Sequence, residues 1–285
     1  MERLMRILSR VPLHVVIILI ALVWIFPTLG VLVTSFRPAQ DVAATGWWTA
    51  LRIPFQFTQY TLTNYGSVIN QGGIGRAFLN SLIITIPATI LPIMIAAFAA
   101  YAFAWMRFPG RRFLFIMLVA LLVIPLQTTM IPILRVFNRL GLAGTFPGIW
   151  LAHTGYGLPL TIYLLYNFIG ALPSELFDSA SIDGASTLQI FFRLVLPLSV
   201  TAIASVTIFQ FLWVWNDLLV ALIYLGGTPD VAPITVQVSS LVGSYGQNWE
   251  VLTAAVFISM ILPLSIFFGL QRYFVRGILA GSIKG

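Results

Sequence analysis

The sequence predicts an all-α integral membrane protein with six transmembrane helices and one ordered polar loop on the cytoplasmic side. Three observations predict it. Hydrophobic residues make up 59% of the chain and charged residues 8%, with a mean hydropathy of +0.99. A soluble domain carries about 25% charged residues. Six apolar stretches are long enough to cross a hydrocarbon core, which takes about 20 helical residues. Finally, ten of the 15 Lys and Arg residues fall in alternate loops and the termini, and five fall in the others. Basic loops stay inside, so both termini and the polar loop are expected in the cytoplasm.

The first span is read at 13–36, after a start that holds Arg3, Arg6 and Arg10. A signal peptide begins in the same way, but this apolar run is too long and lacks a convincing small-x-small cleavage site. The other spans are read near 78–105, 113–134, 147–169, 198–224 and 251–271, forming a single transmembrane domain over 1–285. Backbone groups in lipid must be satisfied within the segment, so these are helices. Pro27, Pro87, Pro92, Pro125, Pro132, Pro159 and Pro263 lie inside them and read as tolerated kinks. The first outer loop carries Trp47-Trp48, either an interface anchor or a short element that packs on a partner. The last outer loop, 226–250, lacks helical periodicity and is rich in Gly, Ser, Thr and Pro.

The polar loop, 172–197, holds three of the chain's eight acids: Glu175, Asp178 and Asp183. Ser174 is placed to cap a short helix over 174–181. Asp183-Gly184 signals a tight turn, with the Asp side chain bonding nearby backbone and Gly184 avoiding a side-chain clash. Ser186 and Gln189 have the spacing of a capping box for a second helix over 187–195, which stops near Leu196-Pro197. Two short amphipathic helices with a sharp turn between them are too polar to span lipid and too ordered for a linker.

This loop resembles the coupling loop of binding-protein-dependent ABC importer permeases. Asp183-Gly184-Ala185 and Leu196-Pro197 match the family pattern, and Asp178-Ser179-Ala180 stands where Glu-Ala-Ala is usual. Asn64-Tyr65, Asn80-Ser81, Met130-Ile131-Pro132 and the tail from Gln271 to Gly285 extend the likeness to maltose-transporter-type permeases over nearly the whole chain. The resemblance implies a cell inner-membrane permease subunit with four kinds of partner. These are a second homologous permease, two cytoplasmic ATPase subunits, an extracytoplasmic solute-binding protein and the lipid bilayer. It also implies that Glu175, Leu176, Phe177, Asp178, Ala180, Asp183, Gly184 and Ala185 form the ATPase contact. The substrate class implied is a sugar, an oligosaccharide or α-glucoside, with polyols and glycerol phosphates carried by similar permeases.

The chain has no phosphate-binding Gly-x-x-x-x-Gly-Lys-Ser/Thr loop, so ATP and Mg are expected on the partner ATPase and no cofactor on this chain. It has no Cys, and His14 and His153 lie in separate apolar segments, which leaves no metal spacing. Its basic residues are dispersed rather than clustered, which argues against nucleic acid. No catalytic constellation is present, so the chain is not expected to be an enzyme. Polar residues within spans mark a pathway or a helix contact. Gln210, Trp213 and Asp217 recur at i, i+3 and i+7 and are read as one helix face, with Asn216 beside them. Aromatic rings beside amides and a carboxylate suit a sugar; helix-to-helix hydrogen bonding with an interfacial Trp belt is the alternative. Gln127 with Thr128 and Thr129, and His153 with Thr154, are further polar positions within spans. An ion-coupled secondary transporter is the competing function, and it requires intramembrane acids and usually inverted repeats. Asp217 is the only acid well inside a predicted span, and no repeat is evident.

Overall fold

The computed structural model describes residues 11–70, 73–242 and 248–282, with side chains as far as Gln271. The basic residues expected at the two ends (Arg3, Arg6 and Arg10; the side chains of Arg272, Arg276 and Lys284) lie outside this range. The described chain is helical, with no strand. Among the described residues three helices are long and apolar enough to cross a membrane, and six spans result if each of three bent pairs counts as one. Backbone contacts group Met1–Gly75 with Val238–Met260, and Arg76–Gln237 with Ile261–Gly285.

In the first unit, α1 (Val11–Ser35) runs unbroken through Pro27. Only 6% of its most apolar window is buried within the chain, against 44% for the long helix of the second unit. Such a surface is stable only under hydrocarbon or another apolar body. Beyond it come α2 (Ala39–Ala44), a 3-10 turn at Trp47–Arg52 that holds the Trp pair, and α3 (Thr63–Asn70). Asn64 fastens α3 to the end of α1: its buried amide donates to the carbonyls of Ser35 (2.9 Å) and Arg37 (2.8 Å). Tyr65 shares a hydrogen bond with Ser35 at 2.8 Å.

The second unit is built around α4 (Ile74–Trp105), which contains Pro87 and Pro92. A proline lacks an N–H, so each leaves the carbonyl four residues earlier without its helical partner. Both orphan carbonyls are taken by neighbouring helices. Trp150 Nε1 donates to Ile83 O at 2.9 Å, and Gln210 Nε2 donates to Ala88 O at 3.1 Å. The prolines thus become docking points. The donors come from α7 (Phe146–Ile169) and α10 (Val200–Trp215).

Two stretches read as single spans are broken. At 113–134 the chain forms α5 (Arg111–Ala120), a 3-10 turn and α6 (Leu126–Arg139), and the two arms are bent by 105°. Pro125 is the cause: it lacks the N–H and drives Ile124 to an extended ψ of 120°. At 198–224, α10 ends at Trp215 and α11 (Leu219–Leu225) follows. Asp217 sits in the gap, and its carboxylate accepts from the backbone N–H of Val220 (3.2 Å) and Ala221 (2.8 Å). An acid with these two donors starts a new helix rather than continuing the old one.

The 226–250 loop also differs from expectation, since it contains a short helix, α12 (Ile234–Ser240). Seven residues are too few to show periodicity. Tertiary bonds hold it instead: Ile234 N donates to Ser81 Oγ at 2.8 Å and Thr235 Oγ1 to Asp217 O at 2.6 Å. Asn80 donates to the carbonyls of Asp230 and Ala232, both at 3.1 Å. The Asn80-Ser81 pair therefore seats this loop, and Asn80→Leu is expected to raise protease cleavage within 226–242 in membranes. Unchanged cleavage would count against that role.

Candidate functional site

The loop after α7 folds as two short helices, α8 (Ser174–Ile182) and α9 (Thr187–Leu198). Pro173 is the residue before α8, and Ser174 is already helical and makes no cap bond, contrary to its expected role. The first turn is served instead by Glu175, whose charge faces the positive end of the helix. The turn closes with two backbone bonds, Ala185 N to Ala180 O (3.0 Å) and Gly184 N to Ser181 O (3.1 Å). This is a Schellman closure, and it requires a left-handed residue; Gly184 has φ +73°. Asp183 makes no side-chain hydrogen bond among the described residues, so the backbone closure does the work assigned to it. A Cβ on Gly184 would meet nothing within 4 Å, so the glycine is needed for its dihedral and not for space. The expected capping box is present: Ser186 N donates to Gln189 Oε1 at 2.7 Å, and Gln189 N to Ser186 Oγ at 3.4 Å.

α9 carries a π-helical turn at Phe191–Val195 and meets α10 at 75°. Phe191 of that turn stacks on Phe98 of α4, ring centres 4.2 Å apart. Phe177 likewise faces inward and stacks on Trp105 at 3.7 Å, while Trp105 Nε1 donates to Ile169 O at 2.9 Å. Phe177 is 7% exposed, so it fixes the loop to α4 rather than presenting a contact. Ala180 and Ala185 pack partly against the same cluster. Glu175, Asp178, Asp183 and Gly184 are exposed, as is Leu176. Sequence reasoning missed the largest apolar surface here: Ile182 is 86% exposed and Leu188 62%. The signal was available, because isolated apolar residues beside a turn in a solvated loop have no core to enter.

A cavity of about 490 Å³ lies between α7 and α10. Tyr156, Phe209 and Trp213 supply aromatic walls, and Thr161 and Gln210 supply polar groups. Gly157 brings the helices together: a Cβ there would sit 2.6 Å from Gln210 Oε1. Of the four pathway candidates, Gln210 and Trp213 line the cavity and Asn216 and Asp217 do not. Because α10 ends at Trp215, the shared face does not extend to Asp217. Asn216 donates to Leu212 O at 2.8 Å. Asp217 lies 3.7 Å from Nε2 of His153, whose ring stands edge-on to Trp213 at 5.2 Å. Tyr156, Phe209 and Thr161 were missed; only Phe209 had a signal, four residues before Trp213 on the same helix. Among the described residues, no group of three or more His, Cys, Asp or Glu comes together that could hold a metal.

Comparison with known proteins agrees with this architecture. Residues 92–280 match the family model described as "Binding-protein-dependent transport system inner membrane component". The osmoprotective compounds uptake permease protein GgtD of Synechocystis sp. is 64% identical over 97% of this chain and 93% of its own length. The alpha-glucoside transport system permease protein AglG of Rhizobium meliloti is 41% identical, covering 95% of this chain and 96% of that protein. A chain from the crystal structure of a bacterial ABC transporter involved in the import of the acidic polysaccharide alginate shares the fold. Its TM-score is 0.76 at 21% identity, over 96% of this chain and 97% of that one. The chain belongs to the binding-protein-dependent transport system inner membrane components and is a multi-pass permease subunit of an ABC importer.

Proposed function

We propose that this subunit lines part of the translocation path for a neutral sugar of the α-glucoside or oligosaccharide class. The observation that carries the reading is the cavity whose walls include Tyr156, Phe209 and Trp213 beside Leu160, Leu164 and Val206, with Gln210 and Thr161 among them. Aromatic faces stack on the apolar side of a pyranose, and amide and hydroxyl groups bond its hydroxyls. No acid lines this cavity, which suits an uncharged cargo. The relative named for alpha-glucoside transport supports the same class. An extracytoplasmic binding protein delivers the sugar, and a second permease supplies the other wall.

Glu175, Leu176, Asp178, Asp183 and Gly184, joined by Ile182 and Leu188, form the knob that enters a cleft on a cytoplasmic ATPase. Two such ATPase subunits hold ATP and Mg, and this chain binds neither. Both termini and the knob lie in the cytoplasm. Reporter fusions at Gly285 and within 226–242 test this, with only the terminal fusion expected to be active inside the cell. The chain is free of Cys, so Cys introduced at 210 and 213 tests the path. Labelling by a water-soluble thiol reagent is expected to change between the ATP-bound and nucleotide-free complex and to fall when the sugar is present. Cysteines that stay unreactive in every state would return Gln210 and Trp213 to pure packing roles.

A further inference from the structure

A second cavity lies in the first unit and is unconnected with the cargo reading. It has a volume of about 350 Å³ and sits where α1 ends. Val31 and Thr34 of α1, Arg37, and the rings of Trp47 and Trp249 are among its walls. Arg37 is the unusual member. It is 4% exposed, and no described carboxylate pairs with it. Its Nη atoms donate only to neutral acceptors: Thr45 O and Asp41 O, both at 3.1 Å, and the hydroxyls of Thr45 and Thr49. Its Nε–H is buried with no partner.

These contacts hold the guanidinium in place without neutralising it. A buried charge is costly unless an opposite charge joins it. Arg37 lines the cavity, and its planar fork suits a phosphate oxygen that displaces one of these neutral acceptors. The rest of the cavity narrows the choice of anion. Val31 and two Trp rings are a poor setting for a small hydrated ion, and they suit a ligand with a charged head and an apolar body. Two tryptophans at the end of a spanning helix also mark headgroup depth in a bilayer.

We infer that the Arg37 cavity binds a phosphodiester anion, supplied in the membrane by the headgroup of an anionic phospholipid. The guanidinium takes the phosphate, and Trp47 and Trp249 flank the glycerol and upper chains. The site would then tie the α1–α2 corner to the bilayer.

The test uses the assembled transporter, purified with its partner subunits in neutral detergent and stripped of native lipid. Phosphatidylglycerol, phosphatidylcholine or diacylglycerol is titrated in, and bound lipid is counted by native mass spectrometry. Wild type is expected to retain one more phosphatidylglycerol than Arg37→Gln, which should need about tenfold more lipid for the same occupancy. Phosphatidylcholine carries the same phosphodiester with its charge offset by choline and should show a smaller difference, whereas diacylglycerol, which lacks the phosphate, should show none. Arg37→Lys keeps the charge without the fork and should fall between. Val31→Phe fills the cavity and leaves Arg37 in place; it should lose the lipid as well, and it decides the matter if Arg37→Gln fails to assemble. Equal retention by wild type and the variants overturns the proposal. Inorganic phosphate that competes with the lipid supports the phosphodiester site, whereas phosphate bound with no lipid retained overturns the lipid source. Arg37→Gln that loses docking of the extracytoplasmic binding protein, with lipid counts unchanged, would reassign Arg37 to a protein carboxylate.

Discussion

Gly184→Val is expected to leave the transporter in the membrane with its ATPase bound, while sugar uptake per ATP hydrolysed collapses. Gly184 holds φ +73° at the closure between α8 and α9. A left-handed conformation costs an ordinary L-residue about 1–2 kcal/mol, and a β-branched one more. That penalty shifts the population of the native closure by a factor of about 5–30. The rest of the loop can absorb it, because the capping box of α9 and the stack of Phe177 on Trp105 are untouched. The two helices would therefore persist at a wrong mutual angle, and a knob of the wrong shape couples poorly. Gly184→Asn separates geometry from size, since Asn enters the left-handed region readily and a Cβ here meets nothing. It should retain most uptake. The measurements are membrane level, ATPase co-purification and uptake per ATP. Normal coupling in Gly184→Val would remove the loop from the ATPase contact. Asp178→Asn should be far milder, since an exposed ion pair contributes about 0–1 kcal/mol.

Gln210→Leu is expected to destabilise the helix bundle by about 1–3 kcal/mol, because it leaves Ala88 O buried without a partner. The carbonyl is orphaned only because residue 92 is proline. In a Pro92→Ala background the helix can supply its own N–H, and the cost of Gln210→Leu should shrink to about 1 kcal/mol or less. Thermal unfolding of the four purified complexes (wild type, each single variant and the double) gives the cycle. An equal cost in both backgrounds would show that Gln210 does not act through that carbonyl. Sugar uptake adds an independent readout. If Gln210 also meets cargo, the double variant regains stability but not transport.

How much of this was legible beforehand differs by element. Long apolar runs and basic loops betray a membrane bundle because lipid imposes length and composition directly. The capping box of Ser186 and Gln189 and the turn at Gly184 were legible because each is closed by residues within a few positions. The break at Asp217 was not. Apart from Asn216 its neighbours are as apolar as those of any span, and the carboxylate's two backbone donors reveal the new helix start. The bend at Pro125 was underread for a related reason. Pro87 and Pro92 sit in an unbroken helix whose freed carbonyls are taken by neighbouring helices, whereas the backbone before Pro125 turns extended. Such long-range donors leave no local mark in a sequence. Phe177 was misplaced because a single aromatic on a polar helix can face either way, and its stacking partner lies far back at Trp105.

α4 links the 172–197 loop to the cavity between α7 and α10. Between Ala88, where Gln210 is fastened, and Trp105, where Phe177 rests, it is one continuous helix. At 1.5 Å per residue, those 17 steps span about 25 Å. A continuous helix of that length resists compression far better than a chain of loops. It is a connecting rod with one end bolted beneath the knob and its shaft pinned to the cavity wall. A push on α8 would therefore arrive at Gln210 as a displacement of the rod itself, with no relay of small side-chain shifts required between them.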